Sequence, residues 1–408
     1  MWDQRSRALN IIIRNARLRN RETLVDIGID NGKIVEIAEK ISENAEQILD
    51  AQGKLVTESF CNPHLHLCKV YTLLMMDESA LKAYHGQDMG AAMTAIEEAA
   101  KIKEQYNAKW IIENVRKALK MAARYGNTHI RAFADVDSKA KLEGIKALLM
   151  AKQEFKGIVD LQVVAFPQDG VVREPGTVEL IEAAMKMGAD VVGGIPWIEY
   201  TVPDERLHID AMFKIAQKYN ADISMLVDDA GDSGLKTLEM LAIKTLKEQW
   251  IGRVLAHHAR AMSLYPTPYF KKLAALLKQA QMGVVSDPHT GPLHAKVKEL
   301  LEEKALVVFG QDDIVDAYYP FGRNNMLEVA FLNAHLLWMT TFREMEKIYD
   351  MITIAPAKAM NIKNFGLQTG NAAHLVVLEA KSIHEAIMYH QEPLYVISHG
   401  KLVDKSKL

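Results

Sequence analysis

The sequence predicts an α/β protein, a (β/α)8 barrel of the TIM type that carries a small β-sandwich built from both chain ends. Two observations support this prediction. In the middle of the chain, apolar runs of strand length alternate with segments of helical periodicity. At both ends the pattern is that of short strands and turns. We expect the barrel to span residues 58–365, and the sandwich to combine residues 1–57 with residues 366–408.

The chain ends share a β-rich composition. The Asn-Gly pair at 31–32 is a strong hairpin signal between two β-type runs. We predict strands within residues 10–18, 24–38, 47–56, 366–380 and 393–404. Each chain end is too short to bury a core alone, so we expect the two to form one composite domain.

The central region contains eight candidate strands, the number that a closed parallel barrel needs. They lie within residues 59–67, 128–136, 160–168, 190–196, 222–229, 252–260, 283–289 and 305–313. Amphipathic segments separate most of them, at 139–155, 178–187, 209–219, 235–250 and 269–281.

Composition and charge exclude several classes of protein. The 408 residues carry a formal net charge of -3 with the signs interspersed, which does not suggest a nucleic-acid partner. No apolar run has the length of a membrane span, and the start of the chain does not resemble a signal peptide. Two cysteines do not suggest a disulfide scaffold. We therefore expect a cytoplasmic protein. A homo-oligomer is a separate expectation, and the final Ser-Lys-Leu is either a peroxisomal signal or a chance sequence.

Polar residues follow nearly every candidate strand. His64 and His66 are two apart, which places both imidazoles on one face of the first strand. In a barrel of this kind the chemistry lies at the C-terminal ends of the strands. The other polar residues at these ends are Gln168, Asp228, Asp229, His257, His258, Asp287, His289, Asp312 and Asp313.

These residue types suit metal-assisted hydrolysis. Two imidazoles and a carboxylate are ligands for zinc or iron(II), and such an ion makes bound water more acidic. A further carboxylate and imidazole would transfer protons to a leaving nitrogen. The set therefore predicts hydrolysis of a C–N bond.

The sequence resembles the amidohydrolase superfamily, and within it the branch of bacterial cytosine deaminases and isopropylammelide aminohydrolases. The resemblance covers almost the whole chain through "GKLVTESFCNPHLHL", "DLQVVAFPQDG", "VLAHHARAMS" and "FGQDDIVDAYYPFGRNNML". It implies that His64, His66 and Asp312 bind the metal. Because Gln168 ends the strand where two-metal relatives have a carboxylated lysine, the resemblance implies a single divalent ion, zinc or iron.

The resemblance also implies the residues that meet the substrate. Gln168 matches a glutamine that contacts the amide edge of a pyrimidine, and Asp313 matches a carboxylate that contacts the substrate. His258 matches a histidine that assists the metal-bound water, and Asp312 belongs to the same catalytic group. The substrate would be a small nitrogen heterocycle or a related cyclic amide or amidine.

The fifth strand departs from the family pattern of a histidine ligand followed three residues later by a glutamate proton shuttle. These positions hold Leu226 and Asp229. Metal binding is therefore either weakened or lost, or Asp228 or His258 completes the coordination. The leading hypothesis is a metal-dependent amidohydrolase in which Asp229 and His258 move protons. The alternative is a catalytically degenerate member that binds or senses a small molecule.

Overall fold

A computed structural model of the chain describes residues 8–76, 81–82 and 92–408. Three sheets are formed in these ranges. The strands are β1 (Leu9–Ala16), β2 (Val25–Asp30), β3 (Lys33–Ala38), β4 (Ala45–Asp50), β5 (Val56–Glu58), β6 (Phe60–Leu65), β7 (Asn127–Asp135), β8 (Asp160–Phe166), β9 (Val191–Gly194), β10 (Asp222–Val227), β11 (Val254–His258), β12 (Gly283–Ser286), β13 (Val307–Phe309), β14 (Leu375–Val377), β15 (Tyr395–Ser398) and β16 (Lys401–Leu402).

The helices lie mostly between the strands of the central sheet, as the periodicity predicts. They are α1 (Ala92–Ala100), α2 (Ala108–Arg124), α3 (Glu143–Glu154), α4 (Thr177–Met187), α5 (Val202–Tyr219), α6 (Thr237–Lys247), α7 (Thr267–Gln279), α8 (Val297–Glu302), α9 (Met326–Leu336), α10 (Phe342–Asp350), α11 (Ile354–Ala359) and α12 (Ile383–Tyr389). Within the described ranges, no helix is long and apolar enough to cross a membrane.

Strands β6 to β13 form one parallel sheet in sequence order, and the predicted barrel is confirmed. The barrel closes where the first strand meets the segment after the last one. Asp312 donates its backbone N–H to the carbonyl of His64 at 2.9 Å, and His66 donates its N–H to the carbonyl of Asp312 at 2.8 Å. Closure of the backbone therefore brings the three predicted metal ligands together.

Helix α2 shows why the outer layer forms. Ile111, Val115, Leu119 and Ala122 recur at helical spacing and are all buried against the barrel. The Asn107 side chain accepts a hydrogen bond from the N–H of Lys109 and so caps the first turn. Local sequence and packing agree on where this helix begins and which face it buries.

Both chain ends contribute to the β-sandwich. Strands β1 to β4 form one sheet, whereas β5 pairs with β14, and β15 and β16 extend this second sheet. Ile13 and Val25 of the first sheet share one buried core with Leu375 and Ile397 of the second. The sandwich is composite, as predicted; the exact boundaries at 57/58 and 365/366 stay a prediction.

Three imidazoles pack where the second sheet meets the lower end of the barrel. The ring of His374 lies 4.7 Å from that of His129 and 4.5 Å from that of His399, centroid to centroid. His399 in turn contacts Asp160 at the start of β8, with 2.8 Å between Nε2 and Oδ2. Burial and the neighbouring imidazoles lower the pKa of His374 to about 3.

This low pKa predicts an acid sensitivity of the fold. Below the ordinary histidine pKa of about 6.5, His374 binds a proton in the unfolded chain but stays neutral in the folded chain. The free energy of unfolding therefore falls as the pH falls. Between pH 7 and pH 5, we expect the free energy of unfolding to fall by about 2 kcal/mol more in the wild type than in His374→Gln. Urea unfolding at both pH values measures this change, with the exposed His335→Gln as control. An unchanged pH dependence in His374→Gln would contradict the assignment.

Candidate active site

A cavity opens at the C-terminal ends of the barrel strands, the end at which chemistry was predicted. It contains about 360 Å³ of space that is partly open to solvent, and it receives side chains from six of the eight strand ends and from α1. Its lining residues are His66, Ile96, Gln168, Ile195, Leu226, Asp229, His258, Asp312, Asp313 and Tyr318. Six of the seven predicted site residues, all except His64, thus line one cavity.

Four buried ligand atoms converge beside this cavity. One nitrogen from each of His64, His66 and His258 and one oxygen of Asp312 all lie within 4.8 Å of one another. The Asp312 Oδ1 atom lies 2.9 Å from His64 Nε2, 3.7 Å from His66 Nε2 and 3.9 Å from His258 Nε2. Three imidazoles and a carboxylate in this arrangement match the donor set of a zinc or iron(II) site.

The backbone around β6 and β13 sets this geometry. Gly310 faces His64 so closely that an added Cβ would lie 2.7 Å from the Cβ of His64. Only glycine permits this approach, and the approach lets the chain after β13 pair with β6. Asp312 itself has a left-handed backbone, with φ of 64°, which turns its carboxylate inward to the imidazoles.

A second layer of side chains holds His258. Its Nδ1 lies 3.0 and 3.1 Å from the two carboxylate oxygens of Asp287, which leaves Nε2 directed to the cluster. Arg260 contacts the same carboxylate at 3.1 Å, and the Thr290 hydroxyl lies between Asp287 and Asp312, 2.6 and 2.9 Å from their Oδ2 atoms. A carboxylate behind an imidazole is the usual support of a metal-binding histidine.

The electrostatics of the cluster follow from burial and from its carboxylates. Burial lowers the pKa of His64 and His66 well below the ordinary range, so both imidazoles are neutral. Burial also opposes the charged form of His258, but Asp229, Asp287 and Asp312 outweigh it and raise the pKa of His258 to about 9. Burial and the adjacent Asp287 raise the pKa of Asp312 to about 7.

Leu226 faces the cavity, but Asp228 does not. Leu226 belongs to the apolar cluster inside the barrel, with Phe133 and Phe166. Asp228 has φ of 48°, and its carboxylate accepts hydrogen bonds from Thr237 and Leu238 at the start of α6 and from Tyr265. The idea that Asp228 reaches the metal is therefore wrong, because strand alternation ends at Val227 and the left-handed residue turns outward.

Gln168 and Asp313 lie on the cavity wall. Lys69 donates from Nζ to Gln168 Oε1 at 2.8 Å, which leaves the amide NH2 of Gln168 as the group available to a ligand. Asp313 is buried, and its Oδ1 has no hydrogen-bond partner in the described part of the chain. Burial and the adjacent Asp312 raise the pKa of Asp313 well above its ordinary value.

Asp229 also lines the cavity, and its carboxylate forms an ion pair with Arg260. Its Oδ1 lies 2.5 Å from Nε of Arg260, a buried side chain that also approaches Asp312 at 3.7 Å.

Sequence reasoning missed three residues of the site, which are Arg260, Lys69 and Thr290. Arg260 follows His258 by two residues and Lys69 follows His66 by three, and both lie in short 3-10 helices, where strand alternation gives no direction. A basic residue so close to a histidine pair was the only available signal.

The chain belongs to the amidohydrolase family. The family model described as "Amidohydrolase family" matches residues 47–404, which is most of the chain. The predicted class of enzyme, a hydrolase of non-peptide C–N bonds of the deaminase and aminohydrolase type, is confirmed at the level of this family and its members.

Three relatives show how far the similarity extends. The N-isopropylammelide isopropyl amidohydrolase of Pseudomonas sp. (strain ADP) is 32% identical over 406 residues, 99% of each chain. The crystal structure of 5-methylcytosine deaminase from Klebsiella pneumoniae, liganded with phosphonocytosine, has a TM-score of 0.88 at 30% identity and covers 96% of this chain and 98% of its own. N-isopropylammelide isopropylaminohydrolase from Burkholderia multivorans shares the fold, with a TM-score of 0.85 at 23% identity over 96% of this chain and 97% of its own.

Proposed function

We propose that the chain is a metal-dependent hydrolase that releases an amine or ammonia from a small nitrogen heterocycle, or from a related cyclic amide or amidine. The observation that carries this proposal is the convergence of His64, His66, His258 and Asp312 beside a cavity that also presents Gln168. Two relatives at 30% identity or more that span nearly the whole chain, named for N-isopropylammelide and 5-methylcytosine, support this substrate class.

The residues present fit a single divalent ion. The donor set is complete without a ligand from Leu226, because His258 contributes the third imidazole and Asp287 orients it. When bound, the ion would lower the pKa of a water molecule and polarise the substrate. In this proposal His258 is a metal ligand. The proton transfer that was predicted for His258 and Asp229 together is then carried out by Asp229 alone.

The other side chains bind and orient the ring. The amide NH2 of Gln168, fixed by Lys69, would donate to a ring carbonyl oxygen. The free oxygen of Asp313 would accept a ring N–H. Leu226, Ile195 and Tyr318 supply apolar walls that exclude water from the faces of the ring.

Asp229 would carry the proton to the leaving nitrogen. It is the carboxylate that lines the cavity on the β10 side, where family members have a glutamate. Arg260 Nε lies 2.5 Å from its Oδ1 and holds the carboxylate in place at the cavity. Because aspartate is one methylene shorter than glutamate, the leaving group must lie closer to β10 than in relatives with glutamate.

A substrate panel tests the proposal. The purified protein, loaded with Zn²⁺ or Fe²⁺, is assayed for release of isopropylamine from N-isopropylammelide and of ammonia from 5-methylcytosine and cytosine. We expect turnover of at least one compound that presents a ring carbonyl next to a ring N–H, and loss of turnover with a chelator. Metal-loaded protein that binds such rings but hydrolyses none would contradict a hydrolase.

We expect Gln168→Ala to separate substrate binding from metal binding. The loss of a donor to the ring should raise KM by about 5- to 160-fold, since a lost buried hydrogen bond costs about 1–3 kcal/mol. Metal content should stay at the wild-type level because Gln168 is outside the four-donor set. Steady-state kinetics with elemental analysis measures both quantities. Loss of the metal in this variant would show that Gln168 has been given the wrong role.

Two observations favour a second candidate function, a binding or regulatory protein that has lost hydrolysis. A leucine stands at the position of a family ligand, and the carboxylate at the shuttle position is engaged by Arg260. Such a protein would bind the ring through Gln168 and Asp313 without turnover. Metal content together with the substrate panel distinguishes the two candidates.

The homo-oligomeric state that the sequence analysis expects stays a prediction.

A further inference from the structure

A second cleft lies at the opposite, N-terminal end of the barrel. It contains about 1500 Å³ of space that is partly open to solvent. The starts of β10, β11 and β13 form its base, and α11 with the residues after it forms one wall. Leu255 lies in this cleft, three residues before His258 on the same strand, so the two sites are about 10 Å apart along β11.

The rim of this cleft is strongly basic. Lys278, Lys304, Lys358 and Lys363 all line it. In the part of the chain that the structure describes, the last three have no carboxylate within 4.0 Å, and Lys278 approaches only Glu303, at 3.9 Å. These four cations stand out in a chain whose formal net charge is -3.

Among the described residues that line the cleft, Asp222 is the one carboxylate, and it does not neutralise the lysines. Asp222 contacts Arg253 at 2.9 Å and accepts a hydrogen bond from Asn361 at 3.0 Å. Arg253 also donates to the backbone carbonyl of Asn220, so this arginine and aspartate satisfy each other and their neighbours. The lysine charges remain for a ligand.

The base of the cleft is apolar. Leu255 and Leu306 belong to a small cluster with Val285 and Val308 that fills the lower barrel, and Met282 lies beside them. An apolar base under a rim of lysines is suited to a ligand with one flat apolar group and several negative charges.

We propose that this cleft binds an amphipathic polyanion of nucleotide size, with an aromatic ring on the base and two or more phosphate charges at the lysines. Lysine ammonium groups bind phosphate as point charges. Four like charges around one space repel one another, and a bound polyanion would relieve that repulsion. This site is independent of the hydrolase function proposed above.

ADP is the probe for this proposal, titrated into the full-length protein by calorimetry in the absence of divalent ions. We expect saturable binding that weakens as the salt concentration rises. Lys304→Gln/Lys358→Gln should weaken it about tenfold or more, because the variant removes two of the four cations that would contact the phosphates. The matched control, Lys271→Gln/Lys272→Gln, removes the same charge from exposed positions of α7 outside the cleft and should bind ADP as the wild type does.

Further titrations test whether ADP binds in this cleft and whether both its ring and its phosphates are recognised. His66→Gln should bind ADP with the wild-type affinity, which would separate the cleft from the active site. Adenosine and inorganic pyrophosphate should each bind more weakly than ADP, because each has only one of the two recognised groups. The proposal is overturned by the absence of saturable ADP binding, by an equal loss in the control, by a loss in His66→Gln, or by pyrophosphate or adenosine binding as tightly as ADP.

Discussion

His258→Gln is expected to lose the metal and all detectable turnover. The variant removes one of four donors in a buried cluster and leaves Asp287 without its imidazole partner. Loss of an outer partner of a metal ligand already costs about 10- to 100-fold in affinity, so loss of the ligand itself should cost about 100-fold or more. Competition with a coloured chelator measures the affinity, and the substrate panel measures the turnover.

His289→Gln is the matched control for this variant. His289 is a nearby imidazole whose Nε2 contacts the carbonyl of Gln311 and which stands outside the four-donor set. We expect it to keep the metal. If His258→Gln folded normally and retained the metal while losing only turnover, His258 would be a proton-transfer residue, as the family resemblance implies.

Leu226→His is expected to restore a ligand from the fifth strand. The side chain at this position lies inside the barrel and faces the cavity beside His66 and His258. A new imidazole there should tighten metal binding by about tenfold or more in the wild-type background. In the His258→Gln background it should recover most of the affinity that the first change removed, since the donor count returns to four.

Leu226→Gln controls for the polarity of the new side chain. Glutamine is similar in size to histidine and is a poor ligand, so we expect it to leave the metal affinity unchanged. Turnover of cytosine is compared in the same preparations, because a ligand on β10 brings the site closer to the family pattern while Asp229 stays in place. A histidine at 226 that does not change the metal affinity would contradict the placement of this side chain.

Much of the barrel could be predicted because its pattern repeats. Each apolar run of the central region is a strand of the barrel, and the polar residues at the run ends do collect at one mouth. His64 and His66, two residues apart within and just after β6, each direct one ring nitrogen to the four-donor cluster. The composite sandwich could be predicted because neither chain end has enough apolar residues to form a core alone.

The roles after the strand ends could not be predicted, because the backbone there is no longer extended. Asp228, His258 and Asp312 all have positive φ, of 48°, 67° and 64°. Alternation would place His257 and His258 on opposite faces, yet His257 packs inside the barrel 4.5 Å from the ring of His64 and His258 joins the cluster. The left-handed residues redirect side chains in ways that a strand pattern does not encode.

The sequence pattern also did not predict that two cationic side chains would be buried at the site. Lys69 and Arg260 are almost fully buried, which is rare for these residue types unless carboxylates or amides surround them. Their partners, such as Gln168 and Asp287, come from other strands and meet them only when the barrel closes.

X-ray absorption at the metal edge of the purified protein tests the central claim most directly. The claim is that His64, His66, His258 and Asp312 hold one divalent ion without a ligand from β10. We predict one equivalent of zinc or iron per chain and a spectrum with three imidazole ligands and oxygen ligands. A protein without metal after loading, or a spectrum with only two imidazoles, would contradict it.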